Sequence, residues 1–172
     1  MQRNFISRLA AFALFCCCWL INGTQARAQF YDHALGVRAG TSFQASYKFF
    51  LFYQPTHIQQ AVEVLGGVHF DVRNKVKNGY VFEALYNVHI DVGFDTGFSA
   101  FAGAGFFTGV YVETGQPNVW GGGVTAALGM EYTFTHVPIN VAIDWRPFLG
   151  LPRSSLLSTA LTVRYVFPTT WQ

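Results

Sequence analysis

Beyond residue 18 the sequence contains no cysteine, so residues 29–172 can build neither a disulfide framework nor a cysteine metal site. Charge is scarce too: 12% of the residues are Asp, Glu, Lys or Arg, where soluble domains carry about a quarter. Long apolar runs are missing as well. After residue 21 nothing approaches the roughly 20 residues that a helix needs to cross a bilayer. What the sequence does have is aromatic side chains, 17% Phe, Trp and Tyr within a 51% hydrophobic total. In lipid every backbone N–H and C=O must be paired inside the protein, and a closed β-barrel does that without helices.

The first 28 residues read as an export leader. Arg3 and Arg8 give a positive start, Leu9 to Ile21 is apolar, and Ala26-Arg27-Ala28 supplies the small-x-small pattern of signal peptidase. Cleavage is therefore expected before Gln29. The alternatives are an N-terminal anchor or a lipoprotein attached through Cys16, Cys17 or Cys18. The apolar run is short for an anchor, and no small residue directly precedes a cysteine as a lipobox requires. Three of the 11 basic residues leave with the leader, so residues 29–172 carry eight basic and nine acidic side chains, net −1. Nothing in that balance points to nucleic acid.

Residues 29–167 alternate with period two, which gives each strand one apolar and one polar face. Leu35, Val37 and Ala39 alternate with Gly36, Arg38 and Gly40, and Tyr47, Phe49 and Leu51 with Ser46, Lys48 and Phe50. Val62, Val64, Val68 and Phe70 oppose Glu63, Leu65, Gly67 and His69; Tyr80 to Ile90 opposes Val81 to Asp91. Val124 to Phe134, Ile139 to Arg146 and Leu161 to Phe167 repeat the pattern. Phe98 to Tyr111 makes a further strand with two open registers: either Ala100, Ala102, Ala104 and Phe106 face outward, or Phe101, Gly103, Gly105 and Phe107 do. Turn signals separate these runs. The expectation is an all-β, eight-stranded, antiparallel up-and-down transmembrane barrel over residues 29–167, with 168–172 a short tail. An even strand count puts both termini on one side, the periplasm. The outer loops would be Gly40-Thr41-Ser42, Val72 to Gly79, Val112 to Gly121 and Phe148 to Leu156.

A soluble lipocalin-like barrel, with its polar face in water, is the rival. The charges favour the membrane. On the polar face Arg38, Lys48, Arg146 and Arg164 stand against Glu63, Glu83, Glu131 and Asp144, few and matched, among Gly, Ala, Ser, Thr and Asn. Such a set can pair across a narrow lumen. The apolar face places Tyr47, Tyr80, Tyr132, Trp145 and Tyr165 near strand ends, as an interfacial girdle would.

The terminal run Leu161-Thr-Val-Arg-Tyr-Val-Phe167 resembles the strand signal read by the outer-membrane barrel insertion machinery, with Tyr165 and Phe167 as its aromatic positions. Gly36-Val-Arg-Ala-Gly40 with Ser46-Tyr-Lys-Phe-Phe50, Leu128-Gly-Met-Glu-Tyr132, and Pro138 to Pro147 resemble small outer-membrane barrel proteins common in Bacteroidetes, within the OmpA/OmpX-like superfamily. The resemblance implies the barrel fold, the bacterial outer membrane as its location, and insertion by the barrel assembly machinery. It departs from the family pattern in Pro168 to Gln172, which follow the terminal Phe.

Chemistry is harder to find. Glu83, His89 and Asp91 share one face of a strand, and Glu63 and His69 one face of its neighbour. A carboxylate–histidine cluster can do acid–base work or hold a metal. No Ser or Cys nucleophile is tied to it by a motif, so the expectation is an interior ion-pair network, no catalytic residue, no metal and no cofactor. Some related small barrels modify lipid A, and the deacylase among them needs a His-x-Ser pair; none of His33, His57, His69, His89 and His136 begins one. An eight-stranded interior is just wide enough to be filled by side chains. The glycines Gly103, Gly105 and Gly109 would leave local voids, which keeps a small or gated water path among the alternatives. The sequence thus points to a structural or interaction protein with a closed lumen. The alternative is a narrow channel or carrier for small solutes, and a lipid A enzyme stands third. Expected partners are membrane lipids and the phosphates of lipopolysaccharide, facing a basic loop patch of Arg73, Lys75 and Lys77; a merely solvated loop is the other reading. The barrel is expected to be a monomer.

Overall fold

The computed structural model describes residues 31–51, 58–69, 77–92, 97–113, 118–152 and 154–168. None of them is helical. Nine strand segments follow one another: β1 (Tyr31–Gly40), β2 (Ser42–Phe50), β3 (Ile58–His69), β4 (Lys77–Asp91), β5 (Phe98–Glu113), β6 (Val119–Thr133), β7 (Ile139–Trp145), β8 (Phe148–Leu151) and β9 (Thr159–Pro168). Every pairing is antiparallel, and β1 pairs with β9, so the sheet closes. Segments β7 and β8 both lie along β6 and form one stave, giving an eight-stave barrel.

The seventh stave breaks at Arg146-Pro147 because proline has no N–H to give to the ladder. Its carbonyl instead accepts the Ala126 amide at 3.0 Å and the Thr125 hydroxyl at 3.2 Å. The sequence expectation placed Phe148 to Leu156 in an outer loop. The structure corrects this: Phe148–Leu151 is strand, paired with Gly122–Thr125. Two other outer loops are shorter than expected for a related reason. Lys77–Gly79 belong to β4, Val112 and Glu113 to β5, and Val119–Gly121 to β6. Gly79 and Gly121 read as turn residues, yet the Tyr111 ring lies against both, 2.8 Å from where a Cβ would stand. Glycine there makes room for an aromatic ring rather than for a turn.

The register fixes the barrel's geometry. The cross-strand row Tyr80–Val68–Phe43–Ala39–Leu161–Ile143–Met130–Ala100–Ile90 goes once round the wall and returns to β4 ten residues further on. With strands about 4.8 Å apart and a rise of about 3.3 Å per residue, a shear of ten on eight staves tilts the strands by about 41°. The radius is then about 8 Å, and side chains fill such an interior.

Alternation sorts the side chains cleanly. Leu35, Val37, Phe43, Phe82, Leu128, Ile143, Leu161 and Val163 are exposed on the outside. The register of β5 is settled in favour of Ala100, Ala102, Ala104 and Phe106 outside, with Phe101 and Phe107 buried inside. Leu65, Leu85, Phe101, Ala127 and Ala142 form an apolar cluster within the lumen.

Candidate functional site

Among the described residues the charged groups that could carry a function are mostly in the lumen, and period two puts them there. All eight charged residues expected on the polar face point inward and are buried: Arg38, Lys48, Glu63, Glu83, Glu131, Asp144, Arg146 and Arg164. They join into one chain of alternating sign. Arg38 Nη2 meets Asp144 Oδ1 at 2.7 Å, and Arg146 Nε lies 3.2 Å from the same oxygen. Arg146 Nη2 reaches Glu63 Oε2 at 2.8 Å, and Arg164 Nη2 donates to Glu63 Oε1. Arg164 Nη1 is 3.7 Å from Glu131 Oε2, which pairs with Lys48 Nζ at 2.5 Å. Glu83 joins from the side: it accepts the Gln44 amide at 2.7 Å, and Gln44 Oε1 accepts from Arg38 Nη1 at 3.1 Å.

Uncharged residues complete the network. The Ser46 hydroxyl donates to Glu63 at 2.7 Å and accepts from Arg164 Nε at 3.1 Å. Asn140 accepts from Arg164 Nη1 at 3.0 Å and donates to Thr133 at 2.8 Å. Asn87 donates to Glu63 at 3.2 Å. An ion taken from water into protein loses several kcal/mol of solvation, which only close opposite charge and extra hydrogen bonds recover. Glu63 shows the recovery most fully, since four donors surround its two oxygens.

Aromatic rings pack together inside the lumen on either side of this network. Toward the termini, Tyr31 meets Phe50 at 5.0 Å, Phe50 meets His89 at 5.3 Å, and His89 meets Phe101 at 5.1 Å between ring centroids. The Lys48 ammonium lies 5.3–6.0 Å from the Tyr31, Phe50 and Phe101 rings, close enough for cation–π attraction. Toward the far rim, His69 packs edge-on against Phe148 at 5.1 Å, and Phe148 against Phe107 at 5.2 Å. Since His69 is on β3 and Phe148 on β8, this contact spans the barrel.

The histidine–carboxylate grouping seen in the sequence is not assembled as the strand faces suggested. His89 turns to Glu131, with Nδ1 3.2 Å from Oε1, while Glu83 is engaged by Gln44. His69 stands apart in the far ring layer. Among the described residues no group of three or more His, Cys, Asp or Glu is placed to hold a metal ion. Sequence reasoning missed the ring layers, because alternation set Phe50 on the polar face and left Phe101 and Phe107 open without saying which rings meet. The Gly-rich neighbours Gly129 and Gly150 were the available signal: Phe101 and Phe107 ring atoms lie 2.6 Å from where their Cβ atoms would be.

The remaining expectations fall at the ends. Arg73 and Lys75 lie outside the described residues, as do the leader and residues 169–172; Lys77 opens β4, its backbone opposite Glu113. Tyr165 and Phe167 sit on the outer side of β9 with rings 5.1 Å apart, and β9 continues to Pro168, opposite Tyr31.

No family model matches the sequence, and neither does any curated protein. The structure is similar to the N-terminal β-barrel domain of Pseudomonas aeruginosa OprF, with a TM-score of 0.53 and 16% identity over 78% of this chain and 95% of that one. Ail, the attachment invasion locus protein of Yersinia pestis, aligns over 78% of this chain and 93% of its own at 7% identity and a TM-score of 0.48. The likeness to the OprF domain is one of fold.

Proposed function

We propose that this chain, which has the eight-stave barrel fold of small outer-membrane proteins, is itself an integral protein of a bacterial outer membrane with a structural or interaction role and a sealed lumen. The observation that carries this reading is the pair of ring layers, Tyr31–Phe50–His89–Phe101 and His69–Phe148–Phe107, enclosing an ion-paired middle. The outward apolar face supports the membrane location, and the shear of ten leaves too little width for an open pore beside filled side chains. The partners are membrane lipids, lipopolysaccharide through Arg73, Lys75 and Lys77, and the assembly machinery through the strand ending at Phe167; the barrel acts as a monomer and without catalysis.

Planar-bilayer recording tests the sealed lumen. Protein that migrates as a heat-modifiable barrel on gels is expected to give no discrete current steps. A narrow channel or carrier is the second reading, and one observation favours it: Arg146 Nη1 is buried without a hydrogen-bond partner among the described residues, as a group serving a passing solute would be. Reproducible steps that change on Arg146→Met or Glu131→Gln would establish that reading and remove the sealed one.

A further inference from the structure

The barrel wall is not of even height. At the termini all staves end at one level, but β1, β2 and β9 span 10, 9 and 10 residues, against 15, 16 and 15 for β4, β5 and β6. At a tilt of about 41° each residue climbs about 2.5 Å, and each step along a cross-strand row from β4 through β5 to β6 climbs about 3 Å more. The row Tyr80–Val110–Trp120 therefore puts Trp120 about 10 Å higher than the Thr41 turn between β1 and β2.

A wall that rose out of the bilayer would be expected to turn polar on its outer side. This one does not. Tyr80, Trp120, Leu149 and Leu151 stand on the outer side of the tall part, with Trp120 76% and Leu151 79% exposed. They continue the apolar surface of Phe82, Phe106 and Val124 directly below, and the outward positions Thr108 and Gly122 between them carry no charge. Tyr80 and Trp120 are also the residue types that anchor at a membrane surface.

We infer that lipid acyl chains cover the β4–β5–β6–β8 wall up to Trp120, while the outer leaflet beside the β1–β2 turn meets water about 10 Å lower, so that the barrel holds the leaflet at two heights. The inference rests on the membrane location proposed above. An apolar band about 25 Å tall suits an outer-membrane barrel, and only the tall side, from Tyr132 up to Trp120, exceeds it. The occupant is lipid rather than a protein because the strip is continuous with the outward apolar face and uncharged among the described residues; its polar atoms are the Thr108 hydroxyl, which donates to the Gly121 carbonyl at 3.2 Å, and the Tyr80 and Trp120 tips, which suit a membrane surface.

The test uses protein isolated from membranes and reconstituted into vesicles of phosphatidylcholine brominated on its acyl chains. One version keeps Trp120 alone (W19F, W145F, W171F) and another keeps Trp145 alone (W19F, W120F, W171F); heat-modifiable migration shows that each is folded. Trp145 is on the outer side at mid-height, opposite Leu128 and Thr159, rather than in the interfacial girdle expected from the sequence, and reports on insertion itself. Both tryptophans are expected to emit at short wavelength, with bromine quenching of Trp120 at least half that of Trp145. A Thr41→Cys variant is expected to react with a membrane-impermeant maleimide. Quenching of Trp145 alone, with Trp120 reached by aqueous acrylamide, would overturn the inference and leave the membrane location standing. Trp120 shielded from both quenchers only at high protein density would mean that a second copy covers the strip, which also overturns it. Trp120 quenched while Thr41→Cys stays unlabelled would show a leaflet of one height and overturn it too. Quenching of neither tryptophan would remove the membrane location as well.

Discussion

Glutamate 63 is where the lumen can be tested most sharply. Its side chain is fully buried, and its two oxygens serve Arg146 at 2.8 Å, Arg164, Ser46 at 2.7 Å and Asn87 at 3.2 Å. Glu63→Gln keeps the shape but removes the anion from between two guanidinium groups, and half of the new amide presents N–H to donors that already point at it. Breaking a buried pair from one side costs about 3–5 kcal/mol, because the partner charges remain out of water. The comparison is Glu83→Gln, at the side branch of the network, where one neutral donor is engaged and the amide oxygen can still accept it, so that only the charge assistance of that bond is lost, at about 1–2 kcal/mol. Urea titration of the barrel in vesicles, followed by tryptophan fluorescence and by gel migration, reads both. Replacing all three central charges (E63L, R146M, R164M) should cost less than the three single changes together, since fewer unpaired ions are left. If Glu63→Gln lies within about 1 kcal/mol of the parent protein, the size of an exposed pair, the alternating chain of charges does not hold the barrel, and the reasoning fails.

Ile143→Arg places a cation at mid-height on the outward face and is expected to cost about 2–4 kcal/mol in a bilayer; no loss of stability in the same urea assay would mean that this face meets water. Gly103→Ala and Gly66→Ala should differ in sign. A Cβ at residue 103 would stand 2.0 Å from Asn87 Oδ1 and 2.5 Å from the Tyr86 carbonyl, whereas at residue 66 its nearest neighbour is Phe82 at 3.9 Å. The first is expected to lower stability by more than about 2 kcal/mol and the second to be neutral or stabilising, with the order of their urea midpoints as the check. Phe107→Ala with Phe148→Ala removes the far ring layer, and Phe50→Ala with Phe101→Ala the near one. Either pair alone should leave the bilayer electrically silent, and all four together should admit current; steps from the parent protein would show that the layers do not seal it.

Period-two alternation made the staves, their faces and the inward placement of every one of the eight lumen charges legible in the sequence. It could not say which charge meets which. Arg38 and Asp144 lie 106 positions apart, and only the closed register brings them together. The β5 register stayed open in the sequence because Ala and Gly carry no face preference; Phe101 and Phe107, resting on Gly129 and Gly150 of other staves, decide it in the fold. The sequence pattern ended the seventh strand at Arg146, but the ladder resumes at Phe148, with the carbonyl of Pro147 still accepting two donors. The far rim was misread for one reason: glycine and polar residues signal a turn locally, and the strands opposite them determine whether pairing continues.

The chain of charges draws its members from both ends of the sequence, with Arg38 and Lys48 on the first two staves and Arg164 on the last. Until β9 meets β1, the arginines lack carboxylates contributed by distant staves and the carboxylates lack their arginines. An incomplete sheet would have to carry those bare ions through hydrocarbon. On the membrane location proposed above, closure therefore comes together with entry into the bilayer or before it, and β9 sets the moment at which the earlier strands leave water.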